Sequence, residues 1–157
     1  MASQEHAGLH AIREVAIRYT GRRKTAPPAI RAPADVAAFM RRAVTDHARE
    51  HFVALYLDGR HRPIAHQIVS VGTATASLVH PREVFQPAVL LGACALIVAH
   101  NHPSGDPAPS KEDRDVTRRL AQAGKLLGIT LLDSIVWTHP HAFFSLRDGD
   151  PELFDRN

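Results

Sequence analysis

At 157 residues, with 45% hydrophobic and 22% charged residues, the chain is long enough for one ordinary domain with a real core and too short for two. No apolar run approaches the roughly 18 residues needed to cross a bilayer, and the opening Met-Ala-Ser-Gln-Glu-His lacks the basic-then-apolar pattern of a secretory signal, so a cytoplasmic protein with no membrane partner is expected. The formal charge of +3 comes from scattered Arg and Lys, which describes a slightly basic solvated surface better than a polyanion-binding block, and the single Cys94 excludes an internal disulfide or a cysteine-based zinc knuckle.

Residues 1–12 are polar, and the alternation of Val15, Ile17 and Tyr19 with Glu14, Ala16 and Arg18 predicts a short strand. A basic, proline-bounded connector, Gly21 to Pro33, makes residues 1–32 an arm appended to a main domain over 33–150, with 151–157 as a polar tail. Pro33 and Asp35 start a helix with Val36, Phe39, Met40, Ala43 and Val44 at helical spacing. Phe52 to Leu57 is a strand, Asp58-Gly59 a turn signal, and Pro63 to Val71 the returning strand. Thr73 to His80 is small and β-prone and reads as a further strand or its edge.

Pro81-Arg82-Glu83 opens a second helix through about Ala93, with Val84, Phe85, Ala88 and Leu91 inward. Pro87 within it predicts a kink or a late start, because an interior proline removes a hydrogen bond and crowds the preceding turn. A buried strand follows from Ala95 to Ala99, where Cys94 beside it reads as a small core residue. Ser110 begins a third helix with Val116, Leu120, Ala123 and Leu127 on one face, stopped by Gly128. Leu131 to Trp137 and Ala142 to Leu146 are the last strands. Strands and helices alternate, so the fold class is α/β, with the strand before residue 100 central in the sheet.

That central strand ends in His100-Asn101-His102-Pro103. Residues i and i+2 of a strand share a face, so the two histidines project together, roughly 6.5–7 Å apart along the backbone. Pro103 cannot continue a central strand, which leaves them at its end, where clefts form. Asp113 is the candidate third ligand, brought back by the turn from Pro103 to Pro109. Two neutral imidazoles and a carboxylate would leave a fourth tetrahedral position for water, the pattern of a catalytic zinc and not of a structural one. Taken by itself, Ser110-Lys-Glu-Asp113 reads first as a capping box, with the Asp favoured by the helix dipole.

The full arrangement His-x-His-x7-Ser-x2-Asp resembles the JAB/MPN (JAMM) metalloprotease motif. The longer string His-Asn-His-Pro-Ser-Gly-Asp-Pro-x-Pro-Ser is similar in particular to the bacterial RadC (JAB-domain) family. The resemblance runs from about Ile12 to Leu146 and includes Glu50-His-Phe52, Val71-Gly-Thr73 and Pro81-Arg-Glu-Val-Phe85. It implies a mixed central sheet flanked by helices in a JAB/MPN-like, cytidine-deaminase-like fold. It also implies that His100, His102 and Asp113 ligate Zn2+, that Ser110 hydrogen-bonds an oxyanion in competition with helix capping, and that Glu50 carries the proton from water to the leaving amine. The implied function is a zinc-dependent hydrolase of the metallopeptidase type, acting on an amide or isopeptide bond of a peptide or protein substrate.

Three other readings stay open at this level. His47-Ala-Arg-Glu50-His51 fits the His-x-x-Glu-His helix of inverted zinc peptidases, although Phe52 begins a strand at once and no third ligand is evident. A DNA-associated module, binding or processing nucleic acid, agrees with the basic character and the "DNA repair" naming of RadC. The family's longer members carry an N-terminal helical region associated with DNA binding, whereas here a short basic arm precedes the domain. A catalytically silent scaffold is the third, against which every expected ligand is present. The second pair His139-Pro-His141 has no acidic partner at matching spacing.

Overall fold

The computed structural model describes residues 28–72 and 79–155. Chain order is α1 (Pro33–Ala43), β1 (His51–Leu57), β2 (Pro63–Val71), α2 (Pro81–Leu90), β3 (Ala95–Asn101), α3 (Lys111–Leu127), β4 (Thr130–Trp137), β5 (Phe143–Ser145), α4 (Leu146–Gly149) and α5 (Glu152–Asp155). The strand expected at Val15 to Tyr19 lies outside the described residues, as does the expected strand after Gly72 up to residue 78.

The five strands form one mixed sheet in the order β2-β1-β3-β4-β5. β1 is antiparallel to β2 and β3, β3 is parallel to β4, and β4 is antiparallel to β5. Every residue of β1 and β3 is buried, because both faces of the sheet are covered. One face packs Val53, Leu55 and Leu57 on Val36, Ala37 and Met40 of α1. The other packs Phe52, Ala54 and Tyr56 with Val84, Phe85 and Ala88 of α2 and Val116 and Leu120 of α3. The expected α/β architecture is therefore present, with β3 in the middle of the sheet.

Five local expectations are corrected. α2 begins at Pro81, with no late start at Pro87, and ends at Leu90, short of the expected Ala93; burial of Val84, Phe85 and Ala88 outweighs the missing hydrogen bond. On α3 the covered face passes through Thr117, Ala121 and Gly124, and Leu127 is 50% exposed. A Cβ on Gly124 would run into the Ile129 carbonyl, so glycine there lets the helix approach the sheet closely. Cys94 is exposed. The strand expected through Leu146 stops at Ser145, whose hydroxyl accepts the Asp148 N–H at 3.1 Å and starts α4. Beyond it, within the segment read as a polar tail, α5 buries Leu153 and Phe154.

Asp133 clips β4 to this C-terminal end. It is 7% exposed and accepts the Ser145 hydroxyl at 2.6 Å and the backbone N–H groups of Ser134 and Arg147 at 2.7 and 2.9 Å. Burial pushes the carboxyl above the usual range, against those three hydrogen bonds, which pull the other way. Asp133→Ala is expected to cost about 3 kcal/mol, since buried donors lose their acceptor. Asp133→Asn keeps the acceptor for both N–H groups and is expected to cost less than about 1 kcal/mol. A raised folded pKa means that stability from this group is fully present below its unfolded value near pH 4 and lost as pH rises through the folded value. Urea unfolding at about pH 3 and about pH 7 should therefore show Asp133→Asn gaining on the native protein at the higher pH.

Candidate metal centre

The sheet register assembles the site. β1 and β3 pair with Phe52 opposite His100, and the two rings stack with centroids 5.9 Å apart and 12° between planes. Extended two residues past the end of the ladder, the same register sets Glu50 across from His102, and the alternation of a strand puts Glu50, Phe52, His100 and His102 on one face. That face is the one covered by α3, whose first turn holds Asp113.

The ligand atoms of Glu50, His100, His102 and Asp113 all lie within 4.8 Å of one another. His100 Nε2 is 3.1 Å from His102 Nε2 and 3.1 Å from Asp113 Oδ1, and His102 Nε2 is 3.5 Å from Asp113 Oδ2. Ligands held at about 2.0–2.1 Å around a tetrahedral ion lie roughly 3.3–3.4 Å apart, so the three edges have the size such an ion requires. The donor chemistry fits as well. His102 Nδ1 is 2.8 Å from the Asp106 carbonyl, which can only accept, so Nδ1 carries a hydrogen, and in the neutral ring that would hold an ion the Nε2 lone pair turns to the cluster. His100 is 1% exposed and its Nδ1 has no partner among the described residues, so its polar contacts all point into the cluster.

Capping and clustering at Asp113 prove compatible. Its Oδ2 accepts the Ser110 N–H at 2.7 Å while Oδ1 faces His100, so one carboxylate closes the capping box and joins the histidines. Ser110 Oγ accepts the Asp113 N–H at 3.1 Å, which leaves the hydroxyl hydrogen free to be donated elsewhere. Capping through a lone pair of Ser110 Oγ thus does not use the hydroxyl hydrogen. Burial works against a charged Asp113, but hydrogen bonds from His100 and His102, the charge of His100 and the Ser110 N–H prevail and hold the carboxyl far below the usual range. His102 is shifted up, chiefly by its hydrogen bond with Asp113, against burial and with help from the Asp106 carbonyl and the Glu50 charge. Arg114 fastens this helix start to the C-terminal end of the domain, donating to the Pro109 carbonyl at 2.5 Å and to Asp150 at 2.9 Å.

The competing histidines separate from this cluster. α1 ends at Ala43 and residues 44–50 are not helical, so His47, Glu50 and His51 do not share a helix face. His51 is buried in β1 with Nδ1 at 2.9 Å from the Arg49 carbonyl. His139 and His141 are exposed, and the His139 ring lies 4.5 Å from that of His47. Among the described residues, one group of His, Cys, Asp and Glu side chains gathers its ligand atoms in this way. Sequence reasoning passed over Asn101, which bonds to both sides of Glu50, and the Asp106 carbonyl; the only trace of the first was its place between two histidines at a strand end.

Comparison with known proteins places this geometry in a lineage. The description RadC-like JAB domain matches residues 30–151. A UPF0758 protein of Rubrobacter xylanophilus is 43% identical over 140 residues, covering 89% of this chain and 61% of its own length. One of Geotalea uraniireducens is 45% identical over 130 residues, 83% of this chain and 57% of the relative. One of Bacillus mycoides is 45% identical over 119 residues, 76% and 52% respectively, so the chain spans little more than half the length of these curated relatives. With the mixed sheet, the two-histidine strand end and the capped acidic helix all falling within the matched residues, the chain belongs to the RadC-like JAB domain family.

Proposed function

We propose that this domain is a zinc-dependent hydrolase of the metallopeptidase type, acting on an amide or isopeptide carbonyl of a peptide or protein. The observation that supports this most is the convergence of two imidazoles, one carboxylate of a capped helix and a second carboxylate from the residue before β1 within 4.8 Å. His100 Nε2, His102 Nε2 and Asp113 would hold the ion. When bound, zinc supplies Lewis acidity, polarising a carbonyl and easing the deprotonation of water.

The chain's own groups then have distinct tasks. A Glu50 carboxylate oxygen takes the proton of the attacking water and returns it to the leaving nitrogen, so that an amine departs in place of an amide anion. The Ser110 hydroxyl donates to the carbonyl oxygen as that oxygen gains charge. Holding this hydroxyl at a helix N-cap fixes it before the reaction, and the positive end of α3 favours negative charge beside it. The stacked Phe52 ring excludes water from one side of His100.

The test is a zinc-loaded preparation assayed on isopeptide-linked and linear peptide substrates and on DNA. Cleavage of a peptide or isopeptide bond that stops with a chelator and returns with stoichiometric zinc is the expected result. Zinc-dependent scission of DNA with no action on peptides would overturn the reading in favour of a nucleic-acid-processing module.

A further inference from the structure

Asn101 sits between the two histidines, is 2% exposed and faces away from the side of the sheet they occupy. Its carboxamide bonds sideways to the chain entering β1. Oδ1 accepts the His51 N–H at 2.7 Å, and Nδ2 donates to the Arg49 carbonyl at 2.9 Å. These two backbone groups flank Glu50, so the side-chain amide extends the β1–β3 ladder by one step, in the way a further peptide unit would. From the other side the Gly72 N–H donates to the Glu50 carbonyl at 2.9 Å. Glu50 lies just before the first residue of β1 and just after an irregular stretch, where a chain without such bonds frays.

The geometry points to Asn101 as the positioning residue of Glu50, a role that rests on the proton-carrying function proposed for that carboxylate. Asn101 is not one of the residues whose ligand atoms gather at the site. It holds the backbone on both sides of Glu50, so that the same two strands that present His100 and His102 also set the carboxylate against them. A group of this kind has to be placed within about 0.5 Å, and a displacement of about 1 Å can lower turnover by roughly 100-fold.

The test has two arms. Crystal structures of zinc-loaded native protein and Asn101→Ala should superpose at His100, His102 and Asp113 while the Glu50 main chain moves by about 1 Å or more. A Glu50 that stays in its native place overturns the proposal, and this arm is readable whether or not the protein hydrolyses anything. In the kinetic arm, Asn101→Ala should keep stoichiometric zinc and KM and lower kcat by about 10–100-fold. In a Glu50→Gln background the same substitution should change kcat by less than about twofold, because the group it positions is already disabled. Equal losses in both backgrounds would show an effect that does not pass through Glu50 and would also overturn it. Absence of turnover in the native protein would count against the hydrolase reading alone and leave the first arm to decide. Should Asn101→Ala fail to fold, Asn101→Asp keeps the acceptor for His51, loses the donor to Arg49, and permits the same comparisons.

Discussion

Glu50→Gln is expected to lower the kcat of the proposed zinc-dependent hydrolysis by about 100- to 10,000-fold while zinc-loaded protein keeps its metal. Glutamine preserves the size of the side chain and a hydrogen-bonding oxygen, but it cannot take a proton from water or return one to the leaving nitrogen. Glu50 enters from the residue just before β1, whereas the two histidines come from the end of β3 and the capped aspartate from α3, so metal affinity is expected to survive the change. Metal content by elemental analysis and turnover on a cleavable peptide or isopeptide substrate decide the matter together. Unchanged turnover would remove Glu50 from proton transfer, and loss of zinc would make it a ligand instead.

Asp113→Ala is expected to act at the earlier step. The aspartate places one oxygen 3.1 Å from His100 Nε2, and its loss should weaken zinc binding beyond the 10- to 100-fold typical of groups that only orient a ligand. Hydrolysis should disappear with the metal. Part of any stability change has a separate origin, since Oδ2 also accepts the Ser110 N–H, and a lost cap costs about 1 kcal/mol. Asp113→Asn separates the two, because the amide oxygen can still cap the helix while the negative charge beside the histidines is gone. Equal, stoichiometric zinc in native protein and Asp113→Ala would take this residue out of the coordination shell.

Much of the fold was legible before any coordinates. Pro33 and Asp35 mark the start of α1, Pro63 and Val71 bound β2, and Ser110 and Gly128 cap α3, because each signal acts through the backbone of its own turn. Tertiary packing overruled the local signal elsewhere. Pro87 stays inside α2 because the face carrying Val84, Phe85 and Ala88 is buried against the sheet and α3. Leu127 is exposed because the covered face of α3 ends on Thr117, Ala121 and Gly124, where the missing side chain of Gly124 allows the close approach. Leu153 and Phe154 find a core that a reading of residues 151–157 as polar could not anticipate.

The site divides along the same line. His100, His102, Ser110 and Asp113 lie within fourteen consecutive residues, and the period of a strand followed by a capped helix is enough to bring their side chains toward one point. That part was determined by the sequence alone, since every contact it needs is local or nearly so. Glu50 stands far upstream, and its likeness to a family motif could suggest a role but not a location. Only the antiparallel register of β1 on β3, with Phe52 across from His100 and Asn101 bonded on both sides of Glu50, put that carboxylate on the face of the two histidines. A shift of one residue would have turned it to the opposite side, because strand side chains alternate, and that choice is made by the packing of the whole sheet.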